Sequence, residues 1–225
     1  MVFSRVAHQF SVSVVSLLIV VFAGGCSDAN LISPEPGATI TTYRVHSGYT
    51  RVSVSRGLSV NYTIGTTDTI RLDVSEGYMP YVQTRVEGGT LVLTVDDNVD
   101  IGRMLDKTIS ITIPNLSGIE LSGSSVFSGT DTLRPTDFQL TASGASQCTV
   151  ACAAQRVFVS SSGASAWKLD GQATSLIVSS ASGASVIRAF GLPVDNVSLS
   201  LSGASRLETT VSTSITGSAS GESII

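Results

Sequence analysis

From residue 51 onward, apolar and polar positions alternate in twos. Val52 and Val54 precede the turn pair Arg56-Gly57, and Leu58, Val60, Tyr62 and Ile64 follow it. Ile70, Leu72 and Val74 make another run, with Arg71 and Asp73 assigned to the opposite side. Residues 82–86 lead into Glu87-Gly88-Gly89, a hairpin signal, and then into Leu91, Leu93 and Val95. Ile109, Ile111 and Ile113 end at Pro114. Runs of period two, rich in β-branched residues and bounded by glycine turns, predict antiparallel-type strands with one buried face. Beyond the first thirty residues no stretch carries the period of a helix, so the chain is predicted to be β throughout.

The second half repeats. Ser-Gly-Ser-Ser starts at Ser122, Ser-Gly-Ala-Ser at Ser143, Ser162, Ser182 and Ser202, and Ser-Gly-Glu-Ser at Ser220, at intervals of 21, 19, 20, 20 and 18 residues. Five residues after each first serine stand Phe127, Cys148, Trp167, Ile187, Leu207 and Ile225. Five before it stand Phe138, Val157, Ile177, Val197 and Ile215. Three before it, Ile119, Leu140, Val159 and Leu199 fit an apolar column, while Ser179 and Gly217 do not. Such columns arise when each repeat is one coil and equivalent side chains stack ~4.8 Å apart. A fixed glycine permits a corner of positive φ, and the small residues beside it let corners nest. The predicted fold is all-β: an N-terminal β-sheet region continuous with a C-terminal parallel β-helix of about five coils, each of ~20 residues.

The chain opens with a different pattern. Arg5 and His8 give a short polar start, and residues 12–22 are apolar except for Ser13 and Ser16. A run this short cannot span a bilayer, which takes ~20 helical residues, but it suits a secretory signal. Ala23-Gly24-Gly25-Cys26 then resembles a bacterial lipobox, which predicts a signal peptide over 1–25 and lipid attachment at Cys26. Residues 26–42 read as a polar, proline-containing tether. A triacylated cysteine anchors stably, and Ser27 beside it is the outer-membrane rather than the inner-membrane pattern. The expected location is therefore the cell envelope, on a lipid anchor in the outer membrane.

The order of segments carries a family resemblance. Gly89-Thr90-Leu91-Val92-Leu93 follows the hairpin; then come Ile111-Thr112-Ile113-Pro114-Asn115-Leu116, Ile119-Glu120-Leu121-Ser122-Gly123 and the Ser-Gly-Ala-Ser coils. From Tyr43 to the end this resembles the bacterial envelope family called putative auto-transporter adhesin, head GIN domain. The resemblance implies a secreted or lipid-anchored protein with a right-handed parallel β-helix. Residues 43–116 would be the N-terminal β-rich part of that domain and 117–225 its coils. It supplies no catalytic residue.

Composition narrows the chemistry. Lys+Arg number 13 against 17 Asp+Glu, a net charge of -4, which leaves no basic surplus for nucleic acid. Of two histidines, only His46 lies beyond the leader, too few for a histidine metal cluster or a Ser-His pair. Ser165-Ala166-Trp167-Lys168 matches a Ser-x-x-Lys nucleophile motif, which needs one helix face; a strand puts the two on opposite faces. Asp96, Asn98 and Asp100 have the spacing of a calcium loop, but Ile101 and Lys107 stand where it needs Gly and Glu. Cys148 and Cys152 can bridge only if the chain turns between them. No metal or cofactor is expected. The outward column Ser128, Thr149, Lys168, Arg188 and Glu208 carries one carboxylate, which argues against a polysaccharide-acting enzyme.

With 37 Ser and 23 Thr, the hydroxyls are the remaining candidate. Thr141/Ser143, Ser160/Ser162, Ser180/Ser182 and Ser200/Ser202 are predicted to face outward as a flat two-column lattice, while Ala142, Ser161, Ala181 and Leu201 face in. Such a lattice either solvates the sheet or binds a glycan or protein surface. The expected role is a non-enzymatic surface adhesion or interaction module. The alternatives are a β-helix enzyme acting on polysaccharide and an envelope assembly or stress-signalling partner.

Overall fold

The structure, a computed structural model, describes residues 31–225, so Cys26 and the leader lie outside the described residues. Strands β1 (Thr39–Arg44), β2 (Arg51–Val54), β3 (Ser59–Ile64) and β4 (Thr69–Ser75) precede a short 3-10 turn at Glu76–Tyr81. β5 (Val82–Glu87), β6 (Thr90–Val95) and β7 (Lys107–Ile113) complete the N-terminal part. β8 (Gly118–Leu121), β9 (Val126–Leu133) and β10 (Asp137–Ala142) lead into four long strands: β11 (Gln147–Ser161), β12 (Ala166–Ala181), β13 (Val186–Leu201) and β14 (Arg206–Ala219). The long strands stack in parallel, β11 on β12, β12 on β13 and β13 on β14, as a β-solenoid of about five turns.

Each coil has two halves joined by the serine-glycine corner. The half after the corner builds a first sheet, in the order β1-β4-β7-β3-β9 and then the front halves of β11 to β14. The half before the corner builds a second sheet, β5-β6-β2-β8-β10 followed by the back halves of the same long strands. The apolar core lies between them. Phe127, Cys148, Trp167, Ile187 and Leu207 come from the first sheet, and Leu140, Val157, Val159, Val197 and Leu199 from the second; all are buried. Trp167 crosses the interior, its Nε1–H donating to Ser161 Oγ at 3.2 Å. Ser161 thus faces inward as its period requires, and its hydroxyl satisfies an indole that would otherwise bury an unpaired donor.

The corner explains the repeat. Gly144, Gly163, Gly183 and Gly203 have φ near +70° (69, 71, 72 and 68°), a conformation that other residues adopt at a cost. A Cβ on Gly163 would sit 2.5 Å from the Gly144 carbonyl oxygen, so the site needs glycine for space as well. The residue after the glycine donates its N–H to the glycine carbonyl of the previous coil, Ala164 to Gly144, Ala184 to Gly163 and Ala204 to Gly183, each at 2.8 Å. The last serine of each Ser-Gly-Ala-Ser motif is buried, and its Oγ–H donates to the carbonyl of the first serine: Ser165 to Ser162, Ser185 to Ser182 and Ser205 to Ser202, all at 2.7 Å. The motif is therefore a stacking corner with an internal clasp.

Three expectations are corrected. The N-terminal runs are not simply antiparallel. β1–β4, β4–β7 and β5–β6 are antiparallel, but β2 pairs in parallel with β6 and β8, and β3 with β7 and β9. β2, the Arg56-Gly57 turn and β3 have the layout of a later coil, with β4–β7 extending both sheets beyond it. Second, Ile177 is not in the inward column. It lies opposite Phe158, on the outer side, while Leu176 and Val178 point in. The cause is a bulge after Val159, where Ser160 pairs with Ser180 and Ser179 is the extra residue. Third, Ile215 and Ile225, in the last described coil, are 49% and 57% exposed and so are not core residues here.

The two serines of a corner should differ sharply on removal. Ser165→Ala deletes a buried hydroxyl and leaves a carbonyl short of its donor, and is expected to cost ~1–2 kcal/mol. Ser162→Ala, at the exposed end of the same motif, should change stability by less than ~0.5 kcal/mol. Urea denaturation of the two variants reads the difference, and equal losses would contradict the clasp.

Candidate functional site

The sheet register turns the serine pattern into geometry. Thr141 pairs with Ser160 and Ser160 with Ser180, while Ser200, opposite the Ser179–Ser180 bulge, pairs with Ser218. These side chains form one row across the outer face of the second sheet, and Thr141, Ser180 and Ser200 are exposed. Ala142, Ser161, Ala181 and Leu201 between the rows are buried, as the alternation requires. Ser143, Ser162, Ser182 and Ser202 lie just past the strand ends at the corners. Their N–H groups bond to the preceding coil, from Ser143 to Leu121 O and from Ser162 to Ala142 O, and their carbonyls accept the clasps. Their side chains flank the row, Ser162 and Ser202 exposed and Ser143 and Ser182 half-buried.

A second outward row runs beside the first, and sequence reasoning missed it. Arg51 pairs with Gly118, Gln139 with Gly118, Phe158 with Gln139, Ile177 with Phe158 and Ser198 with Ile177. The signal was present: inward Val157 and Val159 leave Phe158 outward by period alone. The bulge obscured its neighbour Ile177. At the N-terminal end the face turns from hydroxyls to charges. Asp137 accepts two hydrogen bonds from Arg156, at 2.8 and 2.6 Å, and the Arg156 guanidinium lies 5.6 Å from the centre of the Phe158 ring. That bidentate contact holds the Asp137 carboxyl below its ordinary range. Beside it, Arg51, Gly118, Glu120, Gln139 and Thr141 surround a cleft of about 110 Å³.

The other candidate groups are occupied structurally. Ser165 Oγ is inside, bonded to the Ser162 carbonyl, and Lys168 is outside, 3.7 Å from Asp170. The Asp96–Asp100 loop turns its carbonyls onto Arg56, whose Nη2 donates to Val99 O at 2.6 Å and Asp96 O at 3.2 Å. Asp100 Oδ1 accepts the Gly102 N–H at 2.9 Å. Among the described residues no group of three His, Cys, Asp or Glu side chains could hold a metal ion. The first sheet's outer column pairs as expected, Ser128, Thr149, Lys168, Arg188 and Glu208 in register, with Glu208 3.9 Å from Arg188.

Cys148 and Cys152 are unbridged and buried on β11, next to Trp167 and Gly171 of the adjacent coil. Burial pushes both thiols up, Cys152 to about 11 and Cys148 further. The folded state thus holds the neutral thiols, whereas an unfolded cysteine ionises near ~8.5. Their stabilising contribution is complete below that pH and is lost as pH climbs toward 11. The melting temperature should fall between about pH 8.5 and 11 more steeply in the wild type than in Cys148→Ala/Cys152→Ala. Parallel curves would contradict this account.

Comparison with known proteins shows the family and the fold. The family model described as "Putative auto-transporter adhesin, head GIN domain" matches residues 48–225. No curated protein matches the sequence. Among solved structures, a putative adhesin from Bacteroides fragilis is similar with a TM-score of 0.68 at 20% identity, covering 86% of this chain and 98% of that one. A putative adhesin from Parabacteroides distasonis gives a TM-score of 0.62 at 15% identity, covering 86% and 98%. A putative lipid binding protein from the same organism gives 0.57 at 14%, covering 86% and 99%. At these identities the likeness shows the fold.

Proposed function

The chain belongs to the family of the auto-transporter adhesin head GIN domain, and from that membership we propose that it is a non-enzymatic attachment module, held in the cell envelope by a lipid on Cys26. Membership in an adhesin family implies a surface or envelope protein. The lipobox-like Ala23-Gly24-Gly25-Cys26 and the polar tether behind it support the anchor, with the outer membrane as its destination. The observation that carries the attachment role is the outer face of the second sheet. There, Thr141, Ser160, Ser180 and Ser200 stand in one row at the strand spacing, beside Gln139, Phe158 and Ile177 in the next. A flat, repeating face of small hydroxyls with an apolar strip suits many weak contacts to a glycan or protein surface. The first sheet's outer column, with one carboxylate, offers no acid pair for glycoside cleavage.

Two experiments test this reading. Cys26→Ser should release the protein from membranes and abolish acyl labelling; equal membrane retention would contradict the anchor. Ser160→Lys with Ser180→Lys should lower the melting temperature by no more than about 2–4 °C, because outward-facing substitutions cost ~0.5 kcal/mol each. The same pair should lower attachment of whole cells several-fold. Ser128→Lys with Thr149→Lys, on the opposite sheet, adds the same charge and should not. If both pairs behave alike, the hydroxyl face only solvates the sheet.

A further inference from the structure

The cleft at the N-terminal end of the second sheet has features that a solvated face does not need. The row Thr90, Arg51, Gly118, Gln139, Phe158 runs across five neighbouring strands, and only position 118 lacks a side chain. Gly118 is not among the residues of positive φ, so the backbone does not require glycine there. Space does. A Cβ at 118 would lie 2.9 Å from Arg51 Cδ and 3.0 Å from its Cγ. The missing side chain lets the Arg51 stem lie across the strand and bury Gly118 beneath it. Arg51 and Glu120 both line the cleft.

Neither charge is used internally. Among the described residues, the ion pairs involve Arg71, Arg85, Arg103, Arg156, Lys168, Arg188 and Arg206, and neither Arg51 nor Glu120 takes part. An unpaired guanidinium and an unpaired carboxylate thus border one cleft, with the Gln139 amide and the Thr141 hydroxyl completing it. The half-buried Phe158 ring follows Gln139 in the row.

We infer that this cleft is a saccharide-binding site, selective for a neutral pyranose that presents adjacent hydroxyls. The inference rests on the reading of this face as the attachment face. The guanidinium donates through parallel N–H groups, which match two neighbouring hydroxyl oxygens, and the carboxylate accepts two hydroxyl protons. A vicinal diol, donor and acceptor at once, satisfies both. A carboxylate or phosphate ligand would satisfy Arg51 but meet Glu120 at like charge. Phe158 lies one strand beyond Gln139, outside the cleft, with the Arg156 guanidinium over its ring, so the charged groups and the Gln139 amide orient the sugar. The cleft, about 110 Å³, takes the edge of one ring and no more. A single contact is therefore weak, and useful affinity comes from many anchored copies on a repeating glycan.

The test uses the full-length protein in detergent on a printed array of neutral and uronic-acid oligosaccharides, followed by calorimetric titration of the retained sugars. The wild type should retain neutral sugars. Arg51→Ala and Glu120→Gln should each weaken that binding at least about tenfold, since each removes a charge-assisted contact. Gly118→Ala, which displaces the Arg51 stem, should weaken it too, and melting curves establish that all three variants fold. Retention of no neutral sugar, or binding unchanged in folded variants, would overturn the site. Retention confined to uronic-acid sugars and strengthened by Glu120→Gln would overturn the diol assignment. If Ser160→Lys/Ser180→Lys abolishes cell attachment while Arg51→Ala leaves it intact, the attachment role stands and the saccharide site falls. If neither variant affects attachment, the attachment role itself falls.

Discussion

The stack of the later coils depends on one backbone contact, the hydrogen bond from the corners at Ala164, Ala184, Ala204 and Glu222 to the glycine carbonyl of the corner before each. That bond sets the axial spacing of the stack at the serine-glycine corner. Once Ala164 bonds to Gly144 and Ala184 to Gly163, the register of the residues next to the corner is pinned. A slip of one residue would exchange the inner and outer faces. The glycine must then adopt positive φ and carry no Cβ, and the serine at the motif's fourth position must close the turn from inside. The Ser-Gly-Ala-Ser motif is the sequence form of that geometry, and two of its four residues have no other task.

A fixed corner pushes irregularity elsewhere. The intervals between motifs vary between 18 and 21 residues, and the differences must be absorbed within the coil. Between β11 and β12 the extra residue enters as the bulge at Ser179; between β12 and β13 the register shifts after Lys168 and again after Val178. These shifts preserve the interior, because Trp167, Leu176, Val178 and Ile187 remain buried. The outer face changes instead, which brings Ile177 beside Phe158 as an apolar strip. Stability and surface chemistry are thus separated: the corners and core hold the stack, and the outer rows are free to differ from coil to coil.

The N-terminal part ends the stack without copying the coils. β2 and β3 repeat the layout of a coil around the Arg56-Gly57 turn, and Gly57 and Gly123 are stacked corners, with φ of 68° and 62°. The residues between β3 and β8 then extend both sheets: β6 and β7 continue β2 and β3 in parallel, and β5 and β4 add antiparallel strands beyond them. Arg56, held between Asp96, Asp97 and Val99 carbonyls, ties that extension to the corner. The same junction places Arg51 beside Glu120, residues 69 apart in sequence, and gives this end of the sheet a chemistry the coils lack.

The sequence by itself determined the solenoid, because its period is local: a corner needs glycine and serine at fixed offsets, and a stack needs apolar residues in register. Trp167, Cys148 and Ile187 in one inward column, and Thr141, Ser160 and Ser180 in an outward one, follow from counting. Counting placed the first serine of each motif outward and gave the last only the part of a small residue at a nesting corner, since spacing does not show that its hydroxyl clasps a carbonyl. Only the tertiary structure decided the direction of strand pairing in the N-terminal part. Alternation shows that one face is buried, and it is the same for parallel and antiparallel neighbours. Ile177 was misplaced because a bulge shifts period by one residue and leaves no mark in composition. The cleft of Arg51, Gly118 and Glu120 was illegible for a different reason. Its members are joined by sheet register between distant strands, and a glycine that makes room for a neighbour's side chain looks, in sequence, like any other glycine.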